Sequence, residues 1–155
     1  MPEWNRYRFR SDWWVDAPPP AVFGVLERGE DYPRWWPQVR EATVTGPESG
    51  RCRFRSVLPF ELTVEVRAGR REPVAGVLQA TLTGDLEGWI RWTVSAERGG
   101  SRVRYEQDTV LRRRLPRRLS WVARPALRAN HALMMRSART GLRTAARSSA
   151  GRRFG

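Results

Sequence analysis

The stretch over residues 115–148 constrains the fold most, because it alone carries helical periodicity over many turns. At 100° per residue, arginines gather on one side of this helix, while small and apolar residues gather on the other. The apolar side must be buried, so the rest of the chain has to supply a surface that covers it. The arginine side comprises Arg124, Arg128, Arg139, Arg143 and Arg147, and the apolar side comprises Ala123, Ala126, Leu127, Asn130, Leu133, Met134, Ala138 and Gly141.

Two features of the apolar side leave its purpose open. Its small residues leave room, which either close packing against a sheet or a cavity could use. Asn130 lies near its centre, and a buried amide needs a partner because leaving it unpaired costs about 1–3 kcal/mol. Pro125 lacks an N–H donor, so we expect a short segment over residues 117–123 and a longer helix after it.

The chain upstream has a period of two, which is typical of β-strands with one buried face. Between the first strand and the second, Asp16 and a run of prolines predict a short helix over residues 18–27, capped by Asp16. A further helical turn or two over residues 31–39 places Trp35 and Trp36 between two prolines, where they could close a pocket. We place the strands at residues 5–15, 40–46, 51–58, 60–70, 76–84, 88–97 and 102–112.

A seven-stranded antiparallel sheet cannot leave its apolar face in water. It must therefore curl around the C-terminal helix, which is the only large amphipathic element available. The fold class is α+β, with a curved sheet wrapped around a long helix. The residues expected on the inner face are Cys52, Phe54, Ser56, Leu62, Val64, Val66, Leu78, Ala80, Leu82, Ile90, Trp92, Val94, Val103, Tyr105, Gln107 and Thr109.

Length and composition predict one domain over residues 1–147 and a loose basic tail over residues 148–155. The single cysteine, Cys52, and the single histidine, His131, exclude an intramolecular disulfide and a cluster of histidine or cysteine metal ligands. We therefore predict no metal and no cofactor. The N-terminal residues have no apolar signal segment, and we expect a cytoplasmic protein.

The net charge is +13, and every one of the 29 cations is an arginine. Guanidinium groups are permanently charged and suit bidentate contact with carboxylate or phosphate. Strand alternation explains many of them as outer-face residues. The densest run predicts either contact with an anionic partner, such as RNA, a membrane surface or an acidic protein, or merely a solvated face. That run consists of Arg112, Arg113, Arg114, Arg117 and Arg118.

Several segments carry a resemblance to a known family: DAPPPAVFGVLERGEDYPRWWPQV, LPFELTVEV, TGDLEGWIRWTV and NHALMMRSARTGL. With this order of elements, the chain resembles the polyketide cyclase/dehydrase branch of the helix-grip, START-like (SRPBCC) superfamily. The resemblance implies a deep pocket between sheet and helix for an apolar or aromatic molecule that is polyketide-, lipid- or quinone-like. It does not imply a reaction, because the superfamily includes both cyclases and carriers.

The chemistry-bearing residues leave a carrier and a cyclase or dehydratase open. Proton transfer beside a carbonyl needs a group that titrates near neutral pH, which makes His131 the sole catalytic candidate. Asn130 and His131 lie about 100° apart on the helix, so we place Asn130 in the pocket and His131 at its edge, bonded to a strand end or to Asp85. The predicted ligand-binding residues are Trp13, Phe54, Trp92, Tyr105, Gln107, Asn130 and Met134.

Overall fold

The computed structural model describes residues 6–55, 61–112 and 117–152, with the side chains of the last helix described at Pro125, Arg128, Ala129 and from His131 to Ser148. A 3-10 turn, Gly29–Asp31, precedes the second helix. The elements are β1 (Arg6–Val15), α1 (Pro19–Leu26), α2 (Tyr32–Trp35), β2 (Val39–Gly46), β3 (Ser49–Arg55), β4 (Glu61–Glu72), β5 (Val77–Gly84), β6 (Leu86–Glu97), β7 (Gly100–Leu111) and α3 (Arg117–Arg152).

The seven strands form one antiparallel sheet in the order β1-β7-β6-β5-β4-β3-β2. Strands β2 to β7 therefore pair with their neighbours in sequence, and β1 closes the series beside β7. Register places Trp92 of β6 opposite Tyr105 of β7, and Trp13 of β1 opposite Val103. The predicted architecture, a curved antiparallel sheet with one long C-terminal helix, is confirmed.

Arginines on the outer face of the sheet meet acidic residues on neighbouring strands. Arg6 forms a bidentate pair with Asp108 at 2.7 and 2.9 Å, and Arg51 donates to Glu65 at 2.7 Å. This follows from alternation, since residues at every second position of paired strands share a face. The outward placement of the strand arginines is thus as predicted.

The helix α3 is continuous, which corrects the predicted break before Pro125. Pro125 is exposed, so a carbonyl that loses its helical partner there can bond to water instead. The helix also runs on to Arg152, so residues 148–152, which we assigned to a loose tail, are helical.

The buried face of α3 is rotated from the predicted one. Met135, Ala138, Leu142 and Ala146 are buried, whereas Leu133, which we placed inside, is 52% exposed. The spacing of three and four residues between these buried positions is that of one helical face. His131 falls on the extension of this face.

The first two helices pack against α3 and fix its position. Pro19 begins α1, and Pro18 at the N-cap makes no side-chain cap. The predicted cap Asp16 instead lies 3.5 Å from Arg147 of α3. The helix α2 approaches α3 closely at Gly141, where an added Cβ would collide with the carbonyl oxygen of Trp35. No helix in the described part of the chain is long and apolar enough to cross a bilayer.

We expect Gly141→Ala to destabilise the fold by about 1–3 kcal/mol, because the new methyl group would force α2 and α3 apart. Thermal or urea unfolding measures this change. Gly24→Ala is the matched control, since a Cβ at Gly24 of α1 has no neighbour within 4 Å and alanine favours a helix over glycine. Equal stability of Gly141→Ala and the parent protein would contradict the tight contact.

Candidate functional site

A cavity of about 390 Å³ lies between the inner face of the sheet and the part of α3 around His131. Its walls come from residues of all seven strands, from the segment between β1 and β2, including Tyr32 and Trp36, and from His131, Met134 and Met135 of α3. Most of the inner-face residues predicted from alternation are part of this lining. Those that line it are Cys52, Phe54, Leu62, Val64, Val66, Leu78, Ala80, Leu82, Ile90, Trp92, Tyr105, Gln107 and Thr109.

Aromatic rings form the wall deepest in the core. Trp92 packs on Tyr105, with ring centres 4.7 Å apart and planes inclined by 59°. Trp36 meets Trp92 edge-on at 6.4 Å, and its indole N–H donates to the carbonyl of Met134 at 3.0 Å. This bond ties the residue after α2 to α3 and holds Trp36 in the cavity wall, within the core and not at the mouth of the pocket.

Trp13 lies behind this wall. It packs on Trp92 at 5.8 Å and is buried in the core, but it does not line the cavity. The placement of Trp13 in the predicted ligand set therefore needs correcting. Alternation assigned it to the correct face of β1, but it could not show that Trp92 stands in front of it.

A row of polar groups on β7 runs along the cavity wall. The hydroxyl of Tyr105 donates to Oε1 of Gln107 at 2.6 Å, and Nε2 of Gln107 donates to the hydroxyl of Thr109 at 2.8 Å. Residues two apart on a strand share a face, so the three side chains form one oriented chain. Burial raises the pKa of Tyr105, so its phenol is neutral and can donate this bond at physiological pH.

His131 faces the cavity instead of standing at its edge. Its ring stacks on Phe9, with centres 3.6 Å apart and planes 7° from parallel, and lies 5.8 Å from the ring of Tyr105. Nε2 is buried and has no hydrogen-bond partner among the described residues. The predicted bond to Asp85 is not made by this nitrogen, and Asp85 accepts from the backbone N–H of Thr63 at 2.8 Å.

Burial sets the charge of His131. It lowers the pKa of the imidazole to about 4, because moving a cation into an apolar site costs more than moving the neutral ring. His131 is therefore neutral at pH 7. Burial likewise raises the pKa of the Cys52 thiol to about 11, so that side chain is a neutral thiol.

Met134 and Asn130 are the two other predicted site residues on α3. Met134 lines the cavity and is half-buried. The side chain of Asn130 lies outside the described residues, so its predicted role as the pocket amide stays a prediction.

Among the described residues, the charged side chains that line the cavity are all exposed, so they lie where it opens to solvent. Arg71 of β4 reaches Glu27, just after α1, at 2.7 Å, and this ion pair links the helical layer to the sheet beside the opening. These residues were missed from sequence, because nothing local distinguishes them from other surface charges. The charged lining residues are Glu27, Glu30, Glu48, Arg51, Arg70 and Arg71.

In the described part of the chain, no three histidine, cysteine, aspartate or glutamate side chains cluster as metal ligands do. The inner wall instead offers neutral hydrogen-bonding groups among aromatic and aliphatic side chains. Such a site can hold an uncharged apolar molecule and orient it through a few polar contacts.

Comparison with known proteins agrees with this geometry. The model of the family described as polyketide cyclase / dehydrase and lipid transport matches residues 15–130. The Zhui aromatase/cyclase from Streptomyces sp. R1128 has a similar fold, with 15% identity over 92% of this chain and 94% of its own, and a TM-score of 0.74. A START superfamily protein from Mycobacterium smegmatis shares 12% identity over 91% and 97% of the two chains, with a TM-score of 0.71.

A protein from Thermus thermophilus is similar to the same extent, with 15% identity over 93% of this chain and 99% of its own, and a TM-score of 0.76. At these identities the similarity concerns the fold alone. No curated protein matches the chain in sequence.

The single histidine allows a direct test of the cavity environment. In NMR titration we expect its ring signals to shift with a midpoint near pH 4, well below the usual value of about 6.5. Because the folded pKa is lowered, unfolded chains bind the proton first, and stability falls as the pH drops from about 6.5 towards 4. The loss should reach about 3 kcal/mol at most.

His131→Phe should remove this part of the pH dependence, since phenylalanine keeps a ring beside Phe9 but cannot take up a proton. Urea unfolding of both proteins at several pH values supplies the comparison, and carboxylates cancel in the difference. A midpoint near 6.5 in the parent protein would show that His131 is solvated.

Proposed function

We propose that this chain, which belongs to the polyketide cyclase / dehydrase and lipid transport family, binds a small hydrophobic or aromatic molecule between its sheet and its long helix. The ligand is polyketide-, lipid- or quinone-like. The observation that carries the proposal is a cavity of about 390 Å³ whose described inner wall is aromatic and aliphatic and whose described charged lining residues are all exposed.

The size of the cavity supports a compact ligand. Small-molecule sites typically enclose about 300–1,000 Å³, so this one suits a molecule of two to three fused rings or an equivalent chain. Burying ~300 Å² of apolar ligand surface contributes ~7 kcal/mol before the cost of association. A dissociation constant in the micromolar range corresponds to about −8 kcal/mol, so aromatic and polar contacts with the wall must add to this burial.

Each predicted site residue has a place in this proposal. Phe54, Trp92 and Met134 supply apolar contact, while Tyr105 and Gln107 supply an oriented polar row on one wall. Asn130 would add a second polar contact from α3. Trp13 acts indirectly, by supporting the ring of Trp92 from behind.

Binding without catalysis is favoured over a cyclase or dehydratase reaction. An efficient general acid or base has a pKa near the working pH, whereas burial lowers the pKa of His131 to about 4 and raises that of Cys52 to about 11. Neither charged form is populated at pH 7.

Contact with an anionic partner is a second proposal. In the predicted run Arg112–Arg118, the structure describes the side chain of Arg112, which pairs with Glu87 at 2.9 Å. Arg113 and Arg114 lie outside the described residues, as do the side chains of Arg117 and Arg118. The observation that favours such a contact is the sequence itself, because no acidic residue follows Asp108.

We also propose a cytoplasmic location, since the only thiol is half-buried and unpaired.

Filling the cavity should abolish ligand binding. We expect N-phenyl-1-naphthylamine, an uncharged fluorescent ring compound, to bind the parent protein with micromolar affinity and to bind Ala80→Phe at least about tenfold more weakly. Ala80 of β5 lines the cavity, whereas its exposed neighbour Thr81 does not, so Thr81→Phe should bind normally. Equal binding by all three proteins would place the dye elsewhere.

A native ligand can be sought by mass spectrometry of the freshly purified protein under non-denaturing conditions. We expect a small apolar molecule to accompany the parent protein and to be depleted in Ala80→Phe. A molecule retained equally by both variants would argue against this cavity as its site.

Two alanine variants separate a carrier from an enzyme. In a carrier, His131→Ala leaves any bound molecule chemically unchanged, and Asn130→Ala weakens affinity by about 1–3 kcal/mol through a lost polar contact. In a cyclase, His131→Ala would lower turnover ~100-fold with little effect on affinity. Incubation of an extracted ligand with each protein, followed by mass spectrometry, distinguishes the two. Conversion that depends on His131 would establish catalysis.

A further inference from the structure

The net charge of the protein is confined to its C-terminal part. Residues 1–112 contain 17 arginines and 16 acidic residues, so they are almost neutral. Residues 113–155 contain 12 arginines and no aspartate or glutamate. Nearly all of the +13 charge therefore comes from the segment that includes α3.

The arginines of the sheet are mostly neutralised by neighbours. Arg104 reaches Asp12 at 2.9 Å, and Arg53 lies between Glu41 and Glu61 at 3.2 and 3.1 Å. Such pairing removes most of their field at a distance. The sheet side of the molecule therefore presents a mixed and nearly neutral surface.

Unlike the sheet, α3 carries a row of arginines that have few acidic partners. We call this row the basic face of α3 and define it as Arg128, Arg136, Arg139, Arg143 and Arg147. All are exposed except Arg143, which is half-buried. The row spans ~28 Å along the helix and fits within an arc of ~100°.

Within the described residues, Arg128, Arg136 and Arg139 form no ion pair. Arg147 lies 3.5 Å from Asp16, with both side chains more than half exposed, so the pair is weak. Arg143 donates to the carbonyl of Trp14 at 3.0 Å and has no carboxylate partner among the described residues. The basic face is therefore short of counter-charge.

Neighbouring guanidinium groups on this face repel one another. Burial and the like charges of Arg139 and Arg147 lower the pKa of Arg143. Like charges four residues apart destabilise a helix, so an anionic surface placed against the row would relieve a repulsion that the folded protein carries.

We propose that the basic face of α3 docks the protein on a bilayer that contains anionic lipids. This goes beyond binding of a ligand in the cavity and does not depend on it. Guanidinium groups bind phosphate through paired hydrogen bonds, and each basic residue near an anionic leaflet contributes about fivefold in affinity.

The shape and composition of the face favour a membrane over a nucleic acid. A straight row on a convex helix can touch a flat surface along its whole length. Its exposed neighbours are Ala129, Ala132 and Leu133, the last 52% exposed, and these apolar side chains suit the headgroup region of a bilayer. No asparagine, glutamine or aromatic ring is among the exposed described residues of α3, so the face offers none of these side chains to bond or stack on bases.

Docking in this way would also place the cavity close to the bilayer. His131, Met134 and Met135 line the cavity from turns of α3 that also carry the exposed residues Arg128 and Arg136. One helix would thus separate the lipid headgroups from the apolar interior of the protein.

Sedimentation with vesicles tests the proposal in the full chain without any added ligand. We expect binding to vesicles of phosphatidylcholine with about one third phosphatidylglycerol at about 50 mM salt, and release at about 500 mM. Vesicles of phosphatidylcholine alone should not bind. The triple variant Arg128→Gln, Arg136→Gln and Arg139→Gln should bind about 100-fold more weakly, since it loses three unpaired cations.

The control variant removes the same charge from the sheet: Arg6→Gln, Arg53→Gln and Arg104→Gln, each paired with an acidic residue in the structure and none of them in the cavity lining. It should bind anionic vesicles nearly as well as the parent protein. The proposal fails if anionic vesicles do not bind at low salt, or if the control loses as much affinity as the α3 variant. It also fails if an RNA duplex binds more tightly than the vesicles at equal ionic strength through the same arginines, which would assign the face to nucleic acid.

Discussion

The close contact between α3 and the residues around α2 is the constraint on which the rest of the structure depends. Gly141 lets the backbone of Trp35 lie directly against α3, and Ala138, Leu142 and Ala146 are fully buried near it. This half of the helix is packed to a density that leaves no space for a ligand. The cavity lies farther towards the N-terminus of α3, where His131, Met134 and Met135 line it. Close packing at one end therefore determines where the open space lies.

The small residues of α3 show why sequence could not choose between packing and a cavity. Both interpretations predict alanine and glycine on the buried face, and the periodicity is the same for either. The structure assigns Ala138 and Gly141 to close packing, while His131, Met134 and Met135 line the cavity. The residues of α3 that border the cavity have larger side chains, which extend into the space that alanine or glycine would leave unfilled.

Sequence predicted the strands well and the helix face less well, for a physical reason. A period of two has only two faces, so the alternation of polar and apolar residues along β7 assigns Tyr105, Gln107 and Thr109 without ambiguity. A helix has a continuous circumference, and alanine marks neither inside nor outside. Placing the face near Asn130 and Leu133 instead of His131 and Met135 therefore moved His131 from the cavity to its edge. The charge asymmetry was missed from sequence for another reason. Arginines occur along the whole chain, so they do not show that the acidic residues end at Asp108.

The separation of charge from the cavity follows from the same arrangement. The side of α3 that packs on the sheet carries no described charge, because an unpaired guanidinium there would cost several kcal/mol to desolvate. Its arginines with described side chains are exposed or, at Arg143, half-buried, and the helix has no acidic residue to pair with them. Packing thus gives α3 an uncharged buried side and a positively charged exposed surface. A ligand in the cavity would stabilise the folded protein by mass action, since it binds only that state. The cavity lining and the charged face thus share one helix, because His131, Met134 and Met135 belong to the same element as the exposed arginines.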